Sequence, residues 1–505
     1  MKYTNFLRIF YFVIAQFIVP NITAQISTEM YRPQIHFTPK EGWMNDPNGM
    51  VYYKNLYHLY YQYYPNSSVW GPMHWGHATS TDLIHWQRQP IALYPDSLGY
   101  IFSGSAVVDS NNTSGFGIDG KIPFVAIFTY HNIENEKAGK SDYQSQGIAY
   151  SLDEGITWKK YDKNPVLKNP GIRDFRDPKV SWFEPHKKWI MTLATFDRIS
   201  FYSSPDLKSW TKESDFGKDV GAHGAAWECP DLFPIDYNGQ QIWVLLVSIN
   251  PGGPNGGSAT QYFTGQFDGK NFFSGQTDTR WLDYGTDNYA GVTWPAIGNR
   301  KTFIGWMNNW QYGKLVPTKG WRSSMTIARD LGVEKIGDKY LVTSQPVPEL
   351  SIIEDKQMVE ENVSVPDYDF TKKMGKLMGP VKINFTADKV ETFSVTLSND
   401  LGEKMVVGYN KEANYFYADR SASGNTTFEK EFGNLHYAPR LTPDPGIDFT
   451  AIIDNASIEF FADKGLTVMT EIFFPTKPYN KIVIHSDNNL LIKKLNWVKL
   501  NGIWK

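Results

Sequence analysis

The sequence predicts an all-β protein, a β-propeller of few blades followed by a β-sandwich, and three observations carry that expectation. Beyond residue 24, short apolar runs bounded by Gly, Pro, Asn or Asp follow one another, and no convincing amphipathic helix interrupts the first 340 residues. A Ser-x-Asp turn followed by an aromatic residue recurs along the same stretch. Near Ser344-Gln345-Pro346-Val347-Pro348 the pattern breaks, and a second series of strand-like runs begins.

Met50 to Tyr64 reads as a hairpin with its turn at Lys54-Asn55. Phe124 to Thr129, Trp189 to Ala194, Ile242 to Val247 and Thr302 to Trp306 read as buried strands. Ser80-Thr81-Asp82 with Trp86 recurs as Ser151-Leu152-Asp153 with Trp158, as Ser204-Pro205-Asp206 with Trp210, and more loosely as Asp268-Gly269 with Phe272. The aromatic residues fall 72, 52 and 62 residues apart, the size of a four-stranded sheet with loops, which is the signature of propeller blades. Pro348 to Glu360 is free of Gly and reads as a linker helix over 348–360. The runs from Val381 to His485 then suit a sandwich over 361–505, leaving 25–347 for the propeller.

The chain of 505 residues suits two or three domains, or one large β domain plus a smaller one, and has ample core material. A net charge of −3 without Lys/Arg blocks argues against nucleic acid as a partner. One cysteine, Cys229, precludes an intrachain disulfide. Aromatic residues make up 15%, with 17 Trp and 29 Tyr; such rings pack between strands and also stack on sugar faces. Lys2 and Arg8, an apolar run from Ile9 to Val19, and Ala24 describe a signal peptide over 1–24, so the protein is expected to be secreted or periplasmic and not an integral membrane protein.

Three acids stand out by their neighbours: Asp46 in Trp43-Met44-Asn45-Asp46-Pro47-Asn48-Gly49, Asp177 in Phe175-Arg176-Asp177-Pro178, and Glu228 in Trp227-Glu228-Cys229-Pro230. Separations of 131 and 51 residues place them on different blades, whose innermost strands converge on one axis. His74, His77 and His85 lack the rest of a ligand set, so no catalytic metal is expected. The glycine-rich stretch Gly252 to Gly257 lacks a following Lys-Ser/Thr and reads as a loop.

These three blocks, with Tyr61-Gln62-Tyr63, Phe102-Ser103-Gly104, Asp283-Tyr284-Gly285, Trp306-Met307-Asn308-Asn309-Trp310, Trp321-Arg322 and Asp419-Arg420-Ser421, closely resemble glycoside hydrolase family 32, the fructan hydrolases and invertases. The resemblance covers nearly all of the chain beyond the leader. It implies a five-bladed propeller, no cofactor, and a retaining mechanism with Asp46 as nucleophile, Glu228 as general acid/base and Asp177 as transition-state stabiliser. Arg176 is expected to hold the Asp177 carboxylate and contact the sugar. Asn45, Gln62 and Ser103 are expected to read hydroxyls, and Trp43, Trp70, Phe102 and Trp310 to form apolar walls, with Trp306 the alternative to Trp310. The implied substrate is a fructan or sucrose cleaved from its end. A fructosyltransferase using the same acids, or a non-catalytic fructan-binding protein, are the competing readings.

Overall fold

The computed structural model describes residues 29–295 and 297–504, so the expected signal peptide lies outside the described residues. Residues 42–346 form five four-stranded antiparallel blades around an axis. The inner strands, in chain order, are Gly42–Tyr53, Tyr100–Val108, Phe175–Phe183, Ala226–Tyr237 and Tyr289–Thr293. Each packs on the next, and the fifth closes on the first. A short strand, Trp321–Arg322, pairs in parallel with Gly42 and Trp43 and so ties the last blade's connection to the first blade.

The repeated Ser-x-Asp turn proves to be the hinge between the third and fourth strands of the blades. Asp82 accepts the amides of Ile84 and His85 at 2.9 and 2.7 Å. Asp206 does the same for Lys208 and Ser209, and Asp268 for Lys270 and Asn271; Asp153 accepts the amide and hydroxyl of Thr157. The residue after each Asp takes a left-handed conformation, at Leu83, Glu154, Leu207 and Gly269. The Trp that closes the motif donates its indole N–H back to the turn, from Trp86, Trp158 and Trp210. A short acceptor side chain satisfies the turn's amides, which is why the pattern is legible as sequence. The Lys54-Asn55 hairpin also forms, with φ of 48° and 63° at the two turn residues.

The C-terminal domain is a sandwich of two layers that share two long strands, Glu354–Asp369 and Lys481–Leu500, paired along their length. One end of Lys481–Leu500 pairs with Phe393–Ser398 and the other with Val381–Ala387, which carries it from one layer into the next. Phe385, Phe393, Phe449 and Phe460 interlock in the core between the layers. The helix expected over 348–360 is not there. Only Pro348–Ile353 turns, as a 3-10 helix, and residues 354–360 already belong to the long strand. Pairing with Lys481–Leu500 satisfies the backbone of this Glu-rich segment and overrides its local helix propensity.

Buried charges join the domains. Arg329 bonds Asp283 at 2.8 Å and also Glu459. His36 bridges Asp454 and Glu459 at 2.8 Å each; burial disfavours its charge, but the two carboxylates outweigh it and hold the imidazole at about 9. Arg420 bonds Asp287 at 2.8 Å and the Tyr312 hydroxyl at 3.0 Å, and Glu471 lies 3.1 Å away. The blocks at Asp283 and Arg420 thus serve the domain junction, as does Asp454.

Candidate active site

All five inner strands are bulged at one level. Pairing slips between Met44 and Pro47, Ile101 and Gly104, Glu228 and Asp231, and Tyr289 and Val292 on four of them; opposite Thr192 and Ala194 it slips around Asp177-Pro178 on the other. Asp177, Cys229 and Ala290 have φ of 62°, 46° and 53° there. A bulge turns an extra residue off the regular alternation and re-aims its side chain. The bulges carry Asp46, Ser103, Asp177 and the Glu228-Cys229 pair to the axis, at one mouth of the channel.

Their mutual geometry is tight. The Cys229 Sγ lies 3.6 Å from both Asp46 Oδ2 and Asp177 Oδ2. Asp46 accepts from the Ser103 hydroxyl at 2.6 Å and from the Asn45 amide at 2.9 Å. Asn45 in turn accepts the Trp43 indole N–H at 2.7 Å, so the carboxylate sits at the end of a fixed chain of donors. Asp177 is 5% exposed; it accepts the Cys229 amide at 3.1 Å, and its own amide donates to the Thr129 hydroxyl at 3.0 Å. Glu228 accepts from Arg176 Nε and Nη2 at 3.1 and 2.9 Å, and from the Tyr289 hydroxyl. Asp46 and Glu228 are half-buried and face the opening.

Burial pushes the Asp46 carboxyl up, Ser103 pulls it back, and the Glu228 charge raises it again. Asp177 is pushed up to about 7 by burial and by the charges of Glu228 and Asp46, against the lowering effect of Arg176. Burial works against the Arg176 charge, but Glu228, Asp174 and Asp177 outweigh it and fix the guanidinium as a cation. Burial and then the Glu228 charge raise the Tyr289 phenol, which keeps it a donor. Three acids are thus set against one guanidinium in this cluster.

Two sequence expectations change. Arg176 does not chiefly hold its neighbour Asp177, which lies 3.9 Å away; it grips Glu228 and, at 2.5 Å, Asp174. The bulge at Asp177 rotates these adjacent side chains apart. Trp43 is wholly buried and so lies beneath the pocket wall, where it supports Asn45 and stacks on Trp310 at 5.8 Å. Trp70, Phe102 and Trp310 are half-buried rings around the opening; Trp306 is fully buried against Trp310. Gln62 donates to the Ile101 carbonyl at 3.0 Å, bracing the strand that carries Phe102 and Ser103. Tyr289 and Asp174 were not anticipated, since neither stands in a block that marks it.

The histidines have other partners: His77 meets His58 at 3.1 Å, His85 meets Asp82 and His74 meets the Pro72 carbonyl. Among the described residues no group of three or more His, Cys, Asp or Glu is placed to hold a metal ion.

The structure gathers Asp46, Asp177 and Glu228 in a cup rimmed by aromatic rings, an arrangement of acids and apolar faces suited to a sugar. Residues 36–346 match the glycosyl hydrolases family 32 N-terminal domain and residues 350–500 the family 32 C-terminal domain, and the chain belongs to that family. It is 43% identical over 490 residues to the levanase of Bacillus subtilis (strain 168), which covers 94% of this chain and 71% of the relative. It is 39% identical over 484 residues to the extracellular exo-inulinase of Aspergillus awamori, covering 88% and 90%. The crystal structure of exo-inulinase from that fungus superposes with a TM-score of 0.86 at 36% identity, over 94% of this chain and 99% of that one. β-Fructofuranosidase from Schwanniomyces occidentalis, in complex with fructosyl-erythritol, superposes at 0.84 and 32% identity, over 95% and 100%.

Proposed function

We propose that the chain is an exported, retaining β-fructosidase that releases terminal fructosyl units from fructans or from sucrose. The convergence of Asp46 and Asp177 on the Cys229 thiol, with Glu228 beside it under Arg176 and Tyr289, is the observation that carries this reading. Asp46 attacks the anomeric carbon as the bond to the leaving oxygen breaks, and Glu228 gives its proton to that oxygen. Water then attacks the fructosyl–Asp46 ester while Glu228 takes the water's proton, which returns both carboxyl groups to their starting state.

The fixed donors on Asp46 hold it in one rotamer and favour its charged form as leaving group in the second step. Asp177 accepts hydroxyl hydrogens of the ring. Those bonds favour its ionised form, so an arriving sugar offsets the burial that pushes the Asp177 carboxyl up. Arg176 limits the repulsion among the acids. Trp70, Phe102 and Trp310 supply apolar faces around the fructosyl unit, and Asn45 and Ser103 hydrogen-bonding groups.

Hydrolysis is favoured over transfer because the relatives named above are a levanase and an exo-inulinase, and the intact set of acids disfavours a purely binding role. End-on cleavage follows the exo-inulinases. The decisive experiment incubates the purified protein separately with sucrose, inulin and levan and resolves products by chain length over time. Fructose as the first and dominant product supports the proposal; internal fragments, longer oligosaccharides or no reaction refute it.

A further inference from the structure

The propeller channel has a second mouth. The acids sit towards the starts of the inner strands, whereas the ends of those strands surround a separate cavity of about 1080 Å³ on the opposite side of the propeller. Its roof is a clasp across three blades. Lys179 donates to Asp231 at 3.0 Å and to the Thr293 carbonyl at 2.7 Å, and Asp231 also accepts the Thr293 amide and hydroxyl at 2.6 and 2.8 Å. Lys179 follows Asp177 by two residues and Asp231 follows Glu228 by three, so the clasp is at once the floor of the catalytic cluster and the ceiling of the distal cavity.

The chemistry of the cavity wall selects a class of ligand. Its carboxylates are committed, Asp231 within the clasp and Glu184 to the Trp182 indole and to Lys187. Lys301 makes no ion pair or hydrogen bond through its ammonium among the described residues, and burial lowers its pKa. The hydroxyl of Ser181, the amide of Gln241 and the indole N–H of Trp243 likewise have no protein partner among the described residues, although all line the cavity. Trp182 packs against Trp189 at 5.0 Å and Trp243 against Phe267 at 5.2 Å, which makes both rings rigid. Rigid aromatic faces beside uncommitted, mostly neutral hydrogen-bonding groups suit a neutral polyhydroxylated chain. Of the three lysines on the wall, Lys54 is paired with Glu154 at 2.5 Å and Lys179 is held in the clasp, and one uncommitted cation with no supporting amide cradle is a poor anion site. The volume lies just above the ~300–1,000 Å³ range of small-ligand sites, enough for several sugar units.

We propose that the distal mouth is a second carbohydrate-binding site that holds a fructan chain away from the catalytic cluster. The choice of fructan rests on the proposed function. Tethering raises the effective concentration of chain ends without any new contact in the catalytic pocket, so it benefits polymers and leaves sucrose unaffected.

The test has two arms. In the first, Trp182→Ala/Trp243→Ala and, separately, Lys301→Met/Gln241→Ala are assayed on sucrose and on long inulin or levan. Unchanged sucrose kinetics with a polymer KM raised about 3–10-fold supports the site; an unchanged polymer KM overturns it. Absence of any sucrose or fructan hydrolysis in the parent refutes the proposed function and leaves the second arm intact. In that arm, Asp46→Asn protein is titrated calorimetrically with an inulin-type oligofructoside, which should give two sites, falling to one when Trp182→Ala/Trp243→Ala is added. The same stoichiometry with and without those substitutions, or binding of inorganic phosphate alone that is lost in Lys301→Met, overturns the proposal.

Discussion

Replacing Asp177 by Asn separates the cost of the catalytic cluster from its benefit. The carboxyl is pushed from an ordinary 3.8 up to about 7, first by burial and then by the Glu228 and Asp46 charges. Between about pH 4 and 7 the native protein therefore holds a proton that the unfolded chain has released, and stability falls as pH rises through that window. That rise corresponds to a penalty of ~4 kcal/mol at its upper bound, fully expressed above pH 7 and absent below pH 4. Asn keeps an oxygen to accept the Cys229 amide but cannot ionise. Asp177→Asn should then be more stable than the parent at pH 8 by about 1–4 kcal/mol in denaturant unfolding, with the difference vanishing near pH 4. Its kcat/KM should fall about 10²–10³-fold, the loss expected when a charge-stabilising group is removed. Parallel stability profiles for the two proteins, or a parent that gains on the variant as pH rises, would refute the electrostatic account of the cluster.

Other perturbations address neighbouring parts of the machinery. Glu228→Ala should lose most activity on sucrose or fructan and retain more on a fructoside with an activated leaving group; equal losses would contradict the proton-donor role. Tyr289→Phe removes one hydrogen bond to a carboxylate and should lower kcat about 10–100-fold with little change in thermal stability, as steady-state kinetics and calorimetry will show. Arg420→Leu leaves Asp287 buried without its cation, and Glu471 with only the His436 imidazole, at 2.9 Å, as ion-pair partner among the described residues, and should cost about 3–5 kcal/mol. Because Tyr312 bonds to both Asp287 and Arg420 two residues from Trp310, the surviving folded enzyme should also show a raised KM.

What was legible in the sequence, and what was not, follows from the range of the interactions. The blade hinges could be read because an Asx turn needs the same few residues wherever it occurs, as at Asp82 and Asp206. The three acids that the structure brings together stand out in the sequence because each lies in a dense local block. Tyr289 carries no such signal, since it meets Glu228 only when the fifth blade packs beside the fourth. Arg176 was paired with Asp177 because sequence adjacency hides a bulge that turns the two apart. The helix expected over 348–360 failed for a comparable reason, as its partner strand begins more than a hundred residues later. The clasp of Lys179, Asp231 and Thr293 spans three blades, and nothing local to any of them announces it.

Identification of the atom that carries the sugar between the two half-reactions tests the central claim most directly. Glu228→Gln enzyme, mixed with an activated fructoside, quenched and digested, should yield a peptide containing Asp46 that is heavier by one fructosyl unit. A label on a peptide containing Asp177 or on the one that spans position 228, or an unlabelled digest accompanied by a first product of inverted configuration, would contradict it.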